Sequence, residues 1–270
     1  EQSIRAPGLM LDRPAFDRRM CEAARASGAE ILFGCRVLRL AEEGAILAGG
    51  EEIRARIIVG ADGPRSTVAA ATGLPPQDLL LGLQARVLLA RPLADARAYL
   101  LPEFRHGYGW LFPQGGAGAL LGVGMRGGGG APRRALVNFH RMVSAEGLLA
   151  GDLDPPFFGG PVPVGGPRPS VSGNRILVGD AAGHAHPITG AGIAHAVLGG
   201  EIAGRCCARA VREDRIERLR DYEAGWRALF GDELGRACER RRLLESGEGN
   251  RDDVLRRVWP AFREYYGGAP

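Results

Sequence analysis

Residues 176–197, ILVGDAAGHAHPITGAGIAHAV, carry the pattern that decides the fold. A hydrophobic strand, Arg175 to Val178, delivers Gly179 and Asp180 at its carboxyl end, and Pro187 then leads into a helix whose first turns are nearly all Gly and Ala. Side chains are almost excluded there, so a ligand is expected against the backbone, where open α/β sheets place their ligands. The helix is expected to begin near Gly190 with Gly192 one turn in, turning bare N–H groups and the positive end of the helix dipole toward the site. Electron-rich oxygens suit that end, while Asp180 suits sugar-like hydroxyls. A tight turn capped by Asp needs no ligand by itself. The downstream spacing of Pro187, Gly190, Gly192 and Ala194 favours one.

A flavin dinucleotide carries both kinds of group. A second stretch, IIVGADGPRSTVA (57–69), repeats the strand ending in Gly and Asp and opens toward a helix bearing Ser66 and Thr67 at its N-terminus. Either reading, a capped turn or a second edge of the site, fits that stretch alone. Two such ends on one sheet favour a shared ligand.

The chain has 270 residues, 45% of them hydrophobic, enough for one large domain or two ordinary ones. All 35 basic residues are Arg, and a net charge of +4 interleaved with acids lacks the basic stripe of a nucleic-acid binder. Nucleic acid is set aside as a partner. Five cysteines without a CxxC pair give neither a disulfide framework nor a zinc site; Cys206 and Cys207 read as small buried thiols, which fits a reducing cytoplasm. No run approaches the ~20 apolar residues of a membrane span, and residues 1–16 lack a signal-peptide core.

The expected order is a helix with Phe16, Met20, Ala23 and Ala24 on its apolar face, closed by Gly28, then a strand from Ile31 to Leu40. Ile53, Ala55 and Ile57 alternate and run into IIVGA, an edge turning into a buried parallel strand. Residues 79–126 hold several β-patterned pieces that predict an antiparallel sheet. A glycine loop at 127–132, a helix from Arg134 to Leu149, a proline-rich return linker over 155–169 and helices after the Gly-Asp stretch complete the chain.

GADGPRSTVA and GDAAGHAHPITGAGI resemble the Asp-Gly and Gly-Asp motifs of the FAD-dependent oxidoreductases that include aromatic hydroxylases and geranylgeranyl reductases. RPAFDRRMCEAARASGAEILFGCRV resembles their helix-strand unit before the Asp-Gly strand. Within that superfamily, GYGWLFPQGGAGALLGVGM is similar to the Tyr-x-Trp-x-Phe-Pro segment of the geranylgeranyl reductase branch, and Gly183 agrees. The resemblance implies FAD as cofactor, with Asp180 on the ribityl hydroxyls and Gly190, Gly192 and Ile193 beside the flavin ring. Asp62 and Gly63 would support it from the other strand, with Gly179 and Pro187 shaping the loop. It implies Tyr108, Trp110, Phe112 and Pro113 as substrate-binding residues, NAD(P)H or another reductant as electron donor, and a small apolar or lipid substrate. The implied reaction is reduction of C=C bonds in a prenyl lipid, with an aromatic hydroxylase or a cofactor-free apolar-ligand binder as alternatives.

The superfamily opens with a GxGxxG unit, and none lies before Asp62. A fragment, an omitted N-terminal part and a loss of tight FAD binding all remain open. The fold expected is therefore mixed α/β. It has an FAD-binding Rossmann-like domain, incomplete at its N-terminus, over 1–75 and 170–214, an antiparallel-sheet substrate domain over 76–169 and a helical region over 215–270. His184 and His186 are read as loop residues touching the cofactor rather than a metal pair. His106 is read as a surface residue. Arg240, Arg241 and Arg242 are read as a solvated helix face, with peripheral membrane contact as the sharper alternative.

Overall fold

Asp12 and Pro14 start the first helix: the Asp12 carboxylate accepts from the Ala15 amide at 3.1 Å, and Pro14 occupies the first turn, where its missing N–H costs nothing. The computed structural model describes residues 9–41, 44–104, 106–127 and 130–267. The chain divides into two compact units, Glu1–Arg54 and Ala55–Pro270. The first holds helix α1 (Arg13–Ala26) and an antiparallel sheet of β1 (Val37–Ala41), β2 (Gly44–Leu47) and β3 (Glu52–Arg54). The strand expected from Ile31 starts only at Val37, because the chain turns at the left-handed Gly34. No residue of α1 is buried, and Leu32 and Phe33 are exposed.

The second unit opens with β4 (Ile58–Gly60) and a short helix α2 (Thr67–Ala71). A six-stranded antiparallel sheet follows, built from β5 (Leu79–Leu89), β6 (Arg97–Tyr99), β7 (Tyr108–Pro113) and β8 (Gly118–Met125). Helix α3 (Ala131–Ala145) comes next, and β9 (Leu149–Ala150) and β10 (Phe158–Pro163) complete that sheet in the order β10-β5-β8-β7-β6, with β9 on β5. Two expectations are corrected here. The proline-rich return carries β10, because its prolines sit at an edge where missing donors are tolerated. The helix expected over 134–149 begins at Ala131 and ends at Ala145, leaving Leu149 to pair with Leu89. Gly128 and Gly129 of the expected loop lie outside the described residues.

Strand parity builds this layer. Val87, Leu89, Leu111, Leu121 and Val123 are buried against Leu136, Phe139 and Val143 of α3 in one core. The opposite face of β7 carries Tyr108, Trp110 and Phe112, whose cross-strand partners are Gly124, Gly122 and Leu120. At Gly122 a Cβ would lie 2.2 Å from the Trp110 ring, so this face is cut to fit an indole.

β11 (Val171–Ser172) and β12 (Arg175–Leu177) return the chain to β4, and β12 pairs with β4 in parallel, Ile176 opposite Val59. The parallel pairing matches expectation, but the burial does not: Val59 is 43% exposed on the outer strand of this small sheet. The last helices are α4 (Ile193–Glu213), α5 (Asp221–Trp226), α6 (Asp232–Ser246) and α7 (Arg251–Val258). Ala203, Tyr222, Trp226 and Leu234 pack on Ile176 in a second core, where the Trp226 indole donates to the Ser170 hydroxyl at 3.0 Å. Arg241 contradicts the solvated-face reading, being 3% exposed. It bonds Glu245 at 2.5 Å, and Arg126 spans Glu245 and Asp78, so a buried charge stays paired. His106 is exposed, and its carbonyl accepts from Arg241 at 2.7 Å.

Candidate cofactor and substrate site

β12 ends at Leu177, and Val178 still pairs with β4 by donating to the Gly60 carbonyl at 3.0 Å. Gly179 then takes φ +55°, which lets the chain turn through Gly179–Ala182 and places the Asp180 side chain over the start of α4. Helix α4 begins at Ile193, three residues later than expected, because Gly190 is left-handed at φ +70° and remains in the loop. Gly192 is its N-cap and supplies no side-chain cap, and the first helical bond runs from the Ala196 amide to the Gly192 carbonyl. The preceding amides make no bond within the helix. A Cβ at Gly192 would stand 3.3 Å from Asp180 Oδ1 and 3.5 Å from Ala185, which brings these two expected cofactor residues side by side.

The two Asp motifs are tied by a residue that the sequence reading missed. The Gln77 side chain donates to the Asp180 carbonyl at 2.8 Å and to the Pro64 carbonyl at 3.1 Å. Asp62 itself accepts from the Thr67 amide at 2.7 Å and the Val68 amide at 3.3 Å, and Ser66 caps Ala69 at 2.9 Å. The Asp62 carboxylate thus secures the start of α2, beside the left-handed Gly63.

Loop 186–191 is pinned from two sides. His186 Nδ1 accepts from the amides of Ile188 and Thr189, both at 3.2 Å, which leaves Nε2–H to donate to the Tyr265 hydroxyl at 3.1 Å. From the sheet side, the Tyr108 hydroxyl donates to the Thr189 carbonyl at 2.7 Å, and burial pushes its pKa up to about 12. Pro187 is buried within this loop. The expectation for the histidines is corrected. His184 is 0% exposed with its ring 4.5 Å from that of Trp226, and burial, with His195 and Arg227 adding, depresses its pKa to about 4. It faces the helical core, and His186 is held by Tyr265.

Between loop and sheet lies a cavity of about 610 Å³, lined by Tyr108, Trp110, Phe112, Gly190, Ile193 and, from beyond α7, Trp259. Leu80, Val162 and Ile188 add apolar wall, and Gln84 accepts from the Trp110 indole at 3.1 Å. Pro113, the last residue of β7, lies outside this lining, and so do Asp62, Gly63, Gly179, Asp180, Pro187 and Gly192. Trp259 was missed by the sequence reading; the signal available was an aromatic residue directly after the amphipathic run RDDVLRRV.

A solved protein described as geranylgeranyl bacteriochlorophyll reductase-like, from Thermoplasma acidophilum, superposes with a TM-score of 0.78 over 97% of this chain and 71% of its own, at 24% identity. A probable FAD-dependent monooxygenase from Pseudomonas aeruginosa does so with a TM-score of 0.62 over 89% of this chain and 71% of its own, at 22% identity. Both likenesses show the fold. No family model matches the chain. Digeranylgeranylglycerophospholipid reductase 1 of Methanopyrus kandleri is 34% identical over 262 residues, covering 89% of this chain and 69% of that protein. The chain belongs to the digeranylgeranylglycerophospholipid reductase family.

Proposed function

We propose that this chain reduces C=C bonds of a prenyl lipid held in the apolar cavity, with FAD bound against the Gly-Asp loop and NAD(P)H or another reductant as electron donor. The observation that carries this reading is the junction of the two sites: Gly190 and Ile193, expected beside the flavin ring, also wall the cavity faced by Tyr108, Trp110 and Phe112.

The residues fit the cofactor on their own chemistry. An uncapped helix N-terminus at Gly192 suits an electron-rich edge, and Gly190 and Ala191 are exposed. Asp180, beside Gly192, is placed to accept from hydroxyls, with Gly179 and Pro187 holding the loop shape. Asp62 and Gly63 would serve from the second strand, through the shape of the α2 turn. When bound, reduced FAD supplies the hydride.

The chain's own contribution is binding, orientation and exclusion of water. Tyr108, Trp110, Phe112 and Ile188 offer an apolar chain a wall whose one charged member is Arg97, while Pro113 fixes the end of β7. Because Tyr108 remains protonated and committed to Thr189, it holds the loop at a set distance from the sheet. A lipid substrate agrees with peripheral membrane contact; among the described residues no helix is long and apolar enough to cross a membrane.

The test is to load the purified chain with FAD, reduce it chemically under nitrogen and add a geranylgeranyl-bearing glycerophospholipid. Mass spectrometry should show hydrogen gained in pairs, lost in Trp110→Ala. Oxygen-dependent NAD(P)H oxidation stimulated by a phenol, with no lipid reduced, would favour the hydroxylase alternative.

A further inference from the structure

A second cavity, of about 560 Å³, is lined by neighbouring positions of the elements that line the first. The same elements supply both in succession. The stretch leaving β6 gives Ala98 to the first and Leu100 to the second, β7 gives Tyr108 and then Gly107, and β8 gives Gly124 and then Arg126. The α7 segment gives Trp259 and then Leu255. On that side the first cavity is walled by a pair of rings, Tyr108 and Trp259, with centroids 4.9 Å apart and planes at 73°.

The two rings are held unequally. Tyr108 is anchored by its bond to Thr189, whereas Trp259 ends α7 in an extended conformation, half-buried, with the buried Val258 before it. Rotation of the Trp259 side chain would open the first cavity on the side of Leu255 without disturbing the sheet. The second cavity is also apolar where it counts. Leu100, Leu101, Pro102, Leu244, Val254 and Leu255 line it. Its cations are engaged, Arg126 with Asp78 and Glu245 and Arg251 with the Leu100 carbonyl at 2.6 Å, and the remaining charged lining residue, Glu248, is an anion. An uncharged hydrocarbon fits that wall better than an anionic headgroup.

We propose that Trp259 sets the length of prenyl chain the protein accepts, and that the cavity under α7 takes the distal isoprene units when its ring turns aside. This rests on the prenyl reading of the first cavity.

The test measures binding of farnesol, geranylgeraniol and the next longer prenyl alcohol to the purified chain by calorimetry, for the parent, Trp259→Ala and Trp259→Phe, each confirmed folded by circular dichroism. Trp259→Ala should bind the longest alcohol at least about tenfold tighter than the parent does, because added hydrocarbon leaves water. Farnesol should gain nothing from Trp259→Ala, and Trp259→Phe should resemble the parent. Leu255→Trp, which fills the second cavity, should weaken binding of the longest alcohol in the parent and cancel the gain in the Trp259→Ala background. An unaltered length profile in Trp259→Ala, or a gain that survives Leu255→Trp, overturns the proposal while the prenyl reading stands. Failure of the parent and every variant to bind any of the three alcohols overturns both.

Discussion

Gly192 and Gly122 show how single missing side chains shape the two halves of the site. Gly192 has φ −148°, which any residue adopts, so its role is space rather than backbone freedom. Its Cβ position clears Asp180 and Ala185 by 3.3 to 3.5 Å, so Ala fits closely while the branched Val would fill the place expected for the flavin. Asp180→Ala, by contrast, would remove the hydrogen bonds proposed to the cofactor's hydroxyls, about 1.5 to 3 kcal/mol each to a charged acceptor, and adds no bulk to the pocket. Titration of FAD should therefore rank the parent first, Asp180→Ala second and Gly192→Val last; a Gly192→Val variant binding like the parent would show that nothing rests on that backbone. Gly122→Ala should displace the Trp110 indole and cost roughly 1 to 3 kcal/mol, read from urea unfolding. At this scale the sequence was informative where chemistry and spacing coincide: strand alternation alone put Tyr108, Trp110 and Phe112 on one face. It was silent on Gln77, since an amide joining two carbonyls brought together from Pro64 and Asp180 leaves no local pattern.

At the scale of elements, the cavity wall depends on the six-residue loop 186–191 being held from both sides. Its position comes from the His186–Tyr265 bond on one side and the Tyr108–Thr189 bond on the other. Tyr265→Phe keeps the ring and deletes the hydroxyl, so it should lower stability by about 1 kcal/mol and speed hydrogen exchange at Thr189 and Ala191. Unchanged exchange there would mean that the loop is held without the His186 link. Helix and strand identities were largely legible from periodicity and from Gly and Pro. Boundaries were not: Leu149 has the apolar character of the helix expected to contain it, and only its pairing with Leu89 makes it a strand. β10 was hidden because Pro161 and Pro163 read as breakers until an edge position is available for them.

Across the whole molecule, stability should depend on pH through histidines buried as neutral bases. His184 is enclosed by Trp226 and Phe230, and its nitrogens find no hydrogen-bond partner among the described residues. Between its ordinary value of 6.5 and about 4, the unfolded chain binds a proton that the folded chain refuses. Stability is thus full above that window and falls as pH drops through it, by up to roughly 3 kcal/mol for this residue. Urea midpoints should be markedly lower near pH ~5 than near pH ~7.5, and His184→Phe should flatten much of the slope, with His186 supplying a remainder of the same sign. An equal slope in the variant would place the acid sensitivity elsewhere. The mixed α/β class and the antiparallel sheet were readable from the chain, whereas the burial of His184 was not, because its cage comes from residues more than forty positions downstream. The three tryptophans are distributed in a useful way: Trp226 is sealed in the helical core, while Trp110 and Trp259 face the apolar cavity. The protein therefore carries its own optical reporter. An apolar guest should shift the emission of two indoles against a constant third, and Trp259→Phe should leave Trp110 to report on the wall nearest the Gly-Asp loop alone.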